Sequence, residues 1–228
     1  MSKRKERIAE KQKQQKMKTI WFSFALIIIV AAVTVWWFTM PDAQEPDVQT
    51  TAEIRVGDDE WTLGNPDADI VLVEYADFQC GACAYYHPII KELMEEYDDQ
   101  VLYVFRHFPL TNIHQYATLA ARTAEAAGKQ GRFWEMTDLI FQNQQRWSRG
   151  NAPFEFTGYA RELGLDMNRF QNDLGAAETF QRVEQSFNSG MRLNITSVPS
   201  FFINGEKIMN PRTLDEFRSV IDRRLEGN

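Results

Sequence analysis

Cysteine is almost missing from this chain: 228 residues hold two, Cys80 and Cys83, together with three histidines. A disulfide-built scaffold needs several pairs at wider spacings, and a bridge across two intervening residues removes little chain entropy. Stabilisation is therefore a poor use for this pair, and redox work is the better one. Histidine is just as sparse, and His87, His107 and His114 show no ligand spacing with the cysteines. A zinc site built on C-x-x-C requires another pair nearby, so no metal is expected, and no other cofactor. Internal repeats and low-complexity tracts are lacking too. What is present is a composition of 44% hydrophobic and 25% charged residues. That suffices to bury a core, at a length suited to one ordinary domain with accessory segments.

The net charge of −7 conceals an asymmetry. Residues 1–18 carry eight Lys/Arg against Glu6 and Glu10, which leaves 17 basic and 30 acidic residues downstream, a body of −13. This argues against nucleic acid as the body's partner, because phosphate binding needs a basic stripe to release counterions.

Residues 20–40 contain no charged side chain. At about 1.5 Å per residue the run reaches about 30 Å, enough to cross a bilayer core. Trp21 near one end, and Trp36 and Trp37 near the other, fit the interfacial aromatic belts. The pattern predicts a single transmembrane helix over 19–40 behind a basic cytoplasmic tail of 1–18. The positive-inside rule then places everything after Met40 outside the cytoplasm. A cleaved signal peptide is the rival reading, but the run exceeds the about 7–15 residues of an h-region and no convincing A-x-A site follows it. No cysteine lies near its end, which excludes a lipoprotein anchor. Residues 41–51, rich in Pro, Asp, Gln and Thr, read as a linker, and the folded domain as 52–228.

Within that domain, residues 70–75 (IVLVEY) form a short β-branched run suited to a buried strand, ending just before the cysteines. From Cys80 onward apolar residues recur at helical spacing, among them Ile89, Leu93 and Met94, and Pro88 should kink that helix. Residues 101–105 make a second strand candidate, joined to the first by a right-handed crossover if the two are parallel. Residues 114–195 read as almost wholly helical, in segments 115–129, 131–146, 154–164, 166–174 and 178–193. After Pro199, strands at 200–203 and 206–209 flank Asn204-Gly205, a favoured hairpin turn. A closing helix runs from Thr213, its expected N-cap, to Leu225.

A cysteine attacks as the thiolate, and a helix N-terminus lowers its pKa from about 8.5 toward roughly 3.5–7.5. Cys80 sits at that terminus. Cys83, at i+3 on the same face, can resolve a mixed disulfide by attacking the Cys80 sulfur.

The order EYADFQCGAC, a long helical stretch, SVPSFFING and a final helix resembles the DsbA-type branch of the thioredoxin superfamily, particularly its single-pass membrane-anchored bacterial members. The likeness covers about residues 52–225. It implies an α/β thioredoxin-like fold, with a helical insertion at about 114–195 between a βαβ half and a C-terminal hairpin-helix half. It further implies that Pro199 is cis and faces the cysteine pair, with the backbone of Val198 presented to an extended substrate. Glu74 then matches the family's buried acid, which exchanges the proton of Cys83 through a water. Alternation along the strand also puts Glu74 on the face of Ile70 and Leu72. Gly81 and Ala82, between the cysteines, replace the proline and histidine of the strongly oxidising members. Without a cationic imidazole there, the pair should be a milder oxidant.

Phe133, Trp134, Phe141 and Trp147 read mostly as core. Phe78, Tyr85, Tyr86, Phe201 and Phe202 are candidates for an apolar groove beside the cysteines, and Phe78, Gly81 and Ala82 are expected, with Val198, to contact substrate. The implied activity is an extracytoplasmic oxidase of cysteine pairs in exported proteins, reduced or misoxidised, recharged by a quinone-linked membrane partner. A reductase or isomerase of the same fold is the alternative within the enzyme class. A peptide-binding or chaperone module with a structural disulfide is the alternative outside it.

Overall fold

The computed structural model describes residues 56–57 and 59–227. The expected basic tail, transmembrane helix and linker lie outside the described residues. Among the described residues no helix is long and apolar enough to cross a membrane.

Strand β2 (Ile70–Ala76) is central, and its β-branched residues suit a strand covered on both faces. It pairs in parallel with β3 (Val101–His107), Glu74 standing opposite Phe105. Helix α1 (Gly81–Tyr97) connects them. Its buried stripe of Cys83, Tyr86, Ile90, Leu93 and Met94 follows the helical period. Each fully buried Leu or Ile there contributes about 1.5–3 kcal/mol. The helix continues across Pro88.

On the other side of β2, strand β4 (Ser200–Ile203) runs antiparallel, with Glu74 opposite Phe201, and β5 (Glu206–Lys207) closes the hairpin. Asn204 and Gly205 both have positive φ, 49° and 84°, as a tight two-residue hairpin requires. The Asn204 side chain also binds β2, accepting from Val71 N at 2.7 Å and donating to Asp69 O at 3.0 Å. Strand β5 is shorter than the predicted 206–209: Ile208 N still donates to Phe201 O, and the chain then leaves the sheet ahead of Pro211.

One strand went unforeseen. The four-residue β1 (Trp61–Gly64) pairs antiparallel with β3 and gives the sheet its order β1-β3-β2-β4-β5. Too short to show alternation, it is held by packing, with the Trp61 ring stacked on Phe133 at 4.2 Å.

Between β3 and β4 come α2 (Ala117–Gly128), α3 (Phe133–Gln142), α4 (Gln144–Arg149), α5 (Ala152–Glu162), α6 (Met167–Gly175) and α7 (Ala177–Arg192). The single helix expected over 131–146 is divided at Asn143, whose carboxamide donates to Leu139 O at 2.9 Å and competes for the helical carbonyl. Phe133, Phe141 and Trp147 are buried, and Trp134 is partly so.

The sheet separates two apolar clusters. Ile70, Leu72, Tyr103, Phe105 and Phe201 face α1, α3 and the closing helix α8 (Leu214–Glu226). Val73, Tyr75, Val104 and Phe202 face Phe187 of α7. Helix α7 approaches so closely that a Cβ on Gly190 would stand 2.6 Å from the Phe108 ring. Thr213 caps α8 as expected, accepting from Glu216 N at 3.2 Å.

Candidate functional site

The turn between β2 and α1 carries the two cysteines, both as free thiols. Cys80 is the N-cap residue of α1, with extended backbone (φ −74°, ψ 122°), and its side chain closes no full capping hydrogen bond. It is partly exposed, whereas Cys83, one turn into the helix, is 0% exposed. The burial stripe of α1 dictates this difference, because Cys83 shares its face with Tyr86 and Ile90.

The two sulfurs are electrostatically unlike. The Cys80 thiol is lowered from 9.0 to about 6, chiefly by the hydrogen bond from the Cys83 thiol. Partial burial opposes the shift, and the amides of Cys83 and Ala82 add to it. The helix N-terminus thus acts through these two amides, together with a neighbouring thiol that sequence reasoning did not foresee. Cys83 is pushed well above the ordinary thiol range, first by its burial and then by its interactions with Cys80.

Beneath the pair lies Glu74, 2% exposed, on the same face of β2 as Ile70 and Leu72. Burial raises its carboxyl from 4.5 to about 7, partly offset by a hydrogen bond from Tyr103, whose hydroxyl donates to Oε2 at 2.6 Å. Charge on Cys80 raises it further.

Across from the cysteines, Val198-Pro199 is a cis peptide. The Val198 carbonyl lies 3.6 Å from Cys80 Sγ, within reach of the thiol proton. The structure thus brings Cys80, Cys83, Glu74, Val198 and Pro199 together. Gly81 and Ala82 are exposed on the first turn of α1.

Phe78 is otherwise placed. At 1% exposure it packs against Phe105, His107 and Phe141, so its side chain has no surface for a substrate. The rest of the aromatic groove fares alike: Tyr86, Phe201 and Phe202 are buried, and of the five candidates Tyr85 is the exposed one, at 57%. The turn before Cys80 points Phe78 into the core, and alternation in β4 sends Phe201 under Phe217 of α8 and Phe202 to the opposite face with Tyr75 and Phe187 of α7.

Several site residues carried no sequence signal. Gln144 of α4 donates through Nε2 to Phe78 O at 2.7 Å and Cys80 O at 2.8 Å, pinning the cysteine turn from 64 residues away. Gln144→Ala leaves two main-chain oxygens without these bonds and is expected to cost about 1–3 kcal/mol, read as a lower denaturant midpoint at unchanged slope. Asp77 and His114 form a second unforeseen pair, with His114 Nδ1 2.7 Å from Asp77 Oδ2. The other histidines lie in the packing. His87 stacks on Phe141 and bonds Asp138, while His107 is paired with Glu125. A cavity of about 520 Å³ beside His107 and Trp61 is lined by neither cysteine; there Arg106 pairs with Glu60, and Arg182 with Glu125 and Asp59.

Similar proteins include Na(+)/H(+) antiporter NhaA 3 of Salinispora tropica, 35% identical over 164 residues, and an antiporter NhaA of Herminiimonas arsenicoxydans, 32% identical over 209. These matches cover 72% and 89% of this chain but 24% and 32% of the relatives. The chain thus spans about a quarter to a third of the curated relatives' length, and the antiport in their names is said of them. Among solved structures, alpha-DsbA1 of Wolbachia pipientis is similar with a TM-score of 0.66 at 23% identity, covering 76% of this chain and 94% of that one. A thioredoxin-like oxidoreductase of Silicibacter pomeroyi DSS-3 gives 0.63 at 25% identity, covering 75% and 94%. Oxidised BdbD of Bacillus subtilis gives 0.65 at 21%, covering 73% and 93%. These likenesses show a DsbA-like form of the thioredoxin fold. The thioredoxin family profile matches residues 57–223. On that match, laid over strand, cysteine turn, helix and cis-proline hairpin in their order, the chain belongs to the thioredoxin family.

Proposed function

We propose that this protein exchanges thiols and disulfides outside the cytoplasm, oxidising cysteine pairs in exported proteins through Cys80 and Cys83. The observation that carries this reading is the asymmetry of the pair: an accessible sulfur that ionises at about 6 beside a buried one that resists ionisation. In the oxidised protein a substrate thiolate attacks Cys80 Sγ, and the Cys80–Cys83 bond breaks. The electron pair goes to Cys83, which takes a proton from Glu74 through water. The substrate's second thiolate then attacks its own sulfur in the mixed disulfide and expels Cys80 as thiolate. The substrate loses two electrons and two protons; one proton returns through solvent to Glu74, replacing the one given to Cys83, the other stays in solvent, and the protein's disulfide becomes a Cys80 thiolate and a Cys83 thiol. Cys80 leaves well because a low-pKa thiol is the better leaving group. Val198, with Pro199, offers its backbone to the extended substrate.

The basic tail and the apolar run of 19–40 support a single-pass anchor with the domain outside the cytoplasm. Outside is where disulfides form and persist. A quinone-linked membrane partner would return the disulfide. The second reading, a reductase, draws on Gly81-Ala82, which provides no imidazolium to stabilise the thiolate further.

Peptide oxidation and insulin reduction by the full chain, with the potential measured against glutathione, test the assignment. Insulin reduction, in which Cys80 is the attacking thiolate, is expected to rise with pH through about 6 and then level off, whereas peptide oxidation follows ionisation of the substrate's own thiol. No exchange in either direction would eliminate both enzymatic readings, and a potential near that of a thioredoxin-type reductant would select the second.

A further inference from the structure

Asp77 links the strand to the cysteine turn, and the reaction above gives it no task. Its side chain is fully buried, yet three donors converge on it. Oδ1 accepts from Gln79 N at 2.7 Å, and Oδ2 accepts from Leu110 N at 2.8 Å and His114 Nδ1 at 2.7 Å. A carboxylate can only accept, so Nδ1 of His114 carries its proton.

The main chain of the same residue holds both cysteines. Its carbonyl accepts from Cys80 N at 3.0 Å, and its amide donates to Cys83 Sγ at 3.5 Å. Asp77 therefore fixes the backbone of one cysteine, touches the sulfur of the other through its amide, and places negative charge near Cys80.

Resting on the thiol-exchange reading, we propose that Asp77 is a positioning residue that sets the redox balance of the pair. Its carboxylate opposes ionisation of Cys80, and the hydrogen bond from His114 moderates that opposition. Reduction of the disulfide takes two electrons from a substrate dithiol. It yields a Cys80 thiolate and a Cys83 thiol, with one proton taken up. Anything that destabilises the thiolate therefore disfavours the reduced form and makes the pair a milder oxidant.

The charge of Asp77 acts on Cys80 in that direction, against the lowering by the Cys83 thiol. The other groups facing the pair are Glu74 with Tyr103 from the sheet, neutral Gln144 from α4, and His114 from the segment after β3. Tyr103 and Gln144 are satisfied by their own bonds, which leaves Asp77 and Glu74 as the acids acting on the two sulfurs.

The test uses the full chain in detergent, with Cys80 titrated by its ultraviolet thiolate absorbance and the equilibrium measured against glutathione. Asp77→Asn removes the charge at constant shape. The Cys80 titration should fall by about one pH unit, and the equilibrium should move about tenfold toward the reduced protein, about 30 mV more oxidising. A purely structural Asp77 would instead loosen the turn and let Cys80 rise toward an ordinary thiol, so an upward shift or none overturns the proposal. The amide must turn its NH2 toward one of the three donors, which endangers folding. His114→Ala, at a largely buried but surface-reaching side chain, supplies the second arm. It should move Cys80 the opposite way, upward, and a downward shift or none also overturns the proposal. Because a loosened turn would raise Cys80 too, where Asp77→Asn does not fold Asp77→Ser is read in its place, with the same fall expected and a rise or no change overturning the proposal. If the parent protein exchanges nothing with glutathione, the functional reading fails, while the absorbance titrations still report on Asp77.

Discussion

Cys80→Ser is expected to abolish thiol exchange, by roughly a thousandfold or more, because a hydroxyl at neutral pH supplies no comparable nucleophile. Stability of the reduced protein should change little, since the residue is partly exposed and the two thiols are unbridged. Cys83→Ser has a different signature. The variant holds no disulfide to pass on, so peptide oxidation stops, but Cys80 can still attack a substrate disulfide, and that mixed disulfide accumulates because Cys83 no longer resolves it. The two variants are compared by peptide oxidation and by mass spectrometry of trapped adducts. A Cys80→Ser protein that retained its biological role would point instead to a peptide-binding module, in which the cysteines are dispensable.

Glu74→Gln should make the protein more stable and less active. A buried acid whose folded pKa is raised from 4.5 to about 7 penalises the folded state once it must ionise. The sign follows from proton counting: between these values the folded form holds more protons than the unfolded form, so stability falls as pH rises. The penalty is nil below 4.5, grows through the interval and is complete above about 7. Glutamine escapes it and still accepts from the Tyr103 hydroxyl. At pH 8 the variant should gain up to about 3 kcal/mol, from about 2.5 pH units at 1.36 kcal/mol each. At pH 4 it should gain little. Exchange should slow by roughly tenfold to a hundredfold, for want of a proton donor to Cys83. Urea titrations at the two pH values and stopped-flow kinetics measure both effects. Equal stability gains at pH 4 and pH 8 would remove ionisation of Glu74 as the cause.

The parts legible in sequence were those with a local signature. The β-branched run of β2, the stripe of α1, Thr213 at its cap and Asn204-Gly205 in its turn each declare themselves within a few residues. Glu74 was readable as buried because strand alternation ties it to Ile70 and Leu72. What escaped depended on distant partners. β1 is four residues long and is held by a ring stacked on Phe133, some seventy positions away. The helix divides at Asn143, where a side-chain carboxamide shares the Leu139 carbonyl with the backbone amide. Phe78 was misplaced because an aromatic beside an exposed cysteine looks like a binding surface until the turn that buries it is known. The hydrogen bond from the Cys83 thiol to Cys80 likewise required coordinates, since a neighbouring thiol and a helix terminus act in the same direction.

Gln144 makes the helical insertion more than an ornament on the strand-and-hairpin framework. The carbonyls of Phe78 and Cys80 find in α4 donors that a chain lacking the insertion could not offer. Grafting these helices from one homologue to another would thus reset the reactive sulfur from behind, with every residue around it unchanged. Shortening them to make a minimal enzyme would free that loop from its brace.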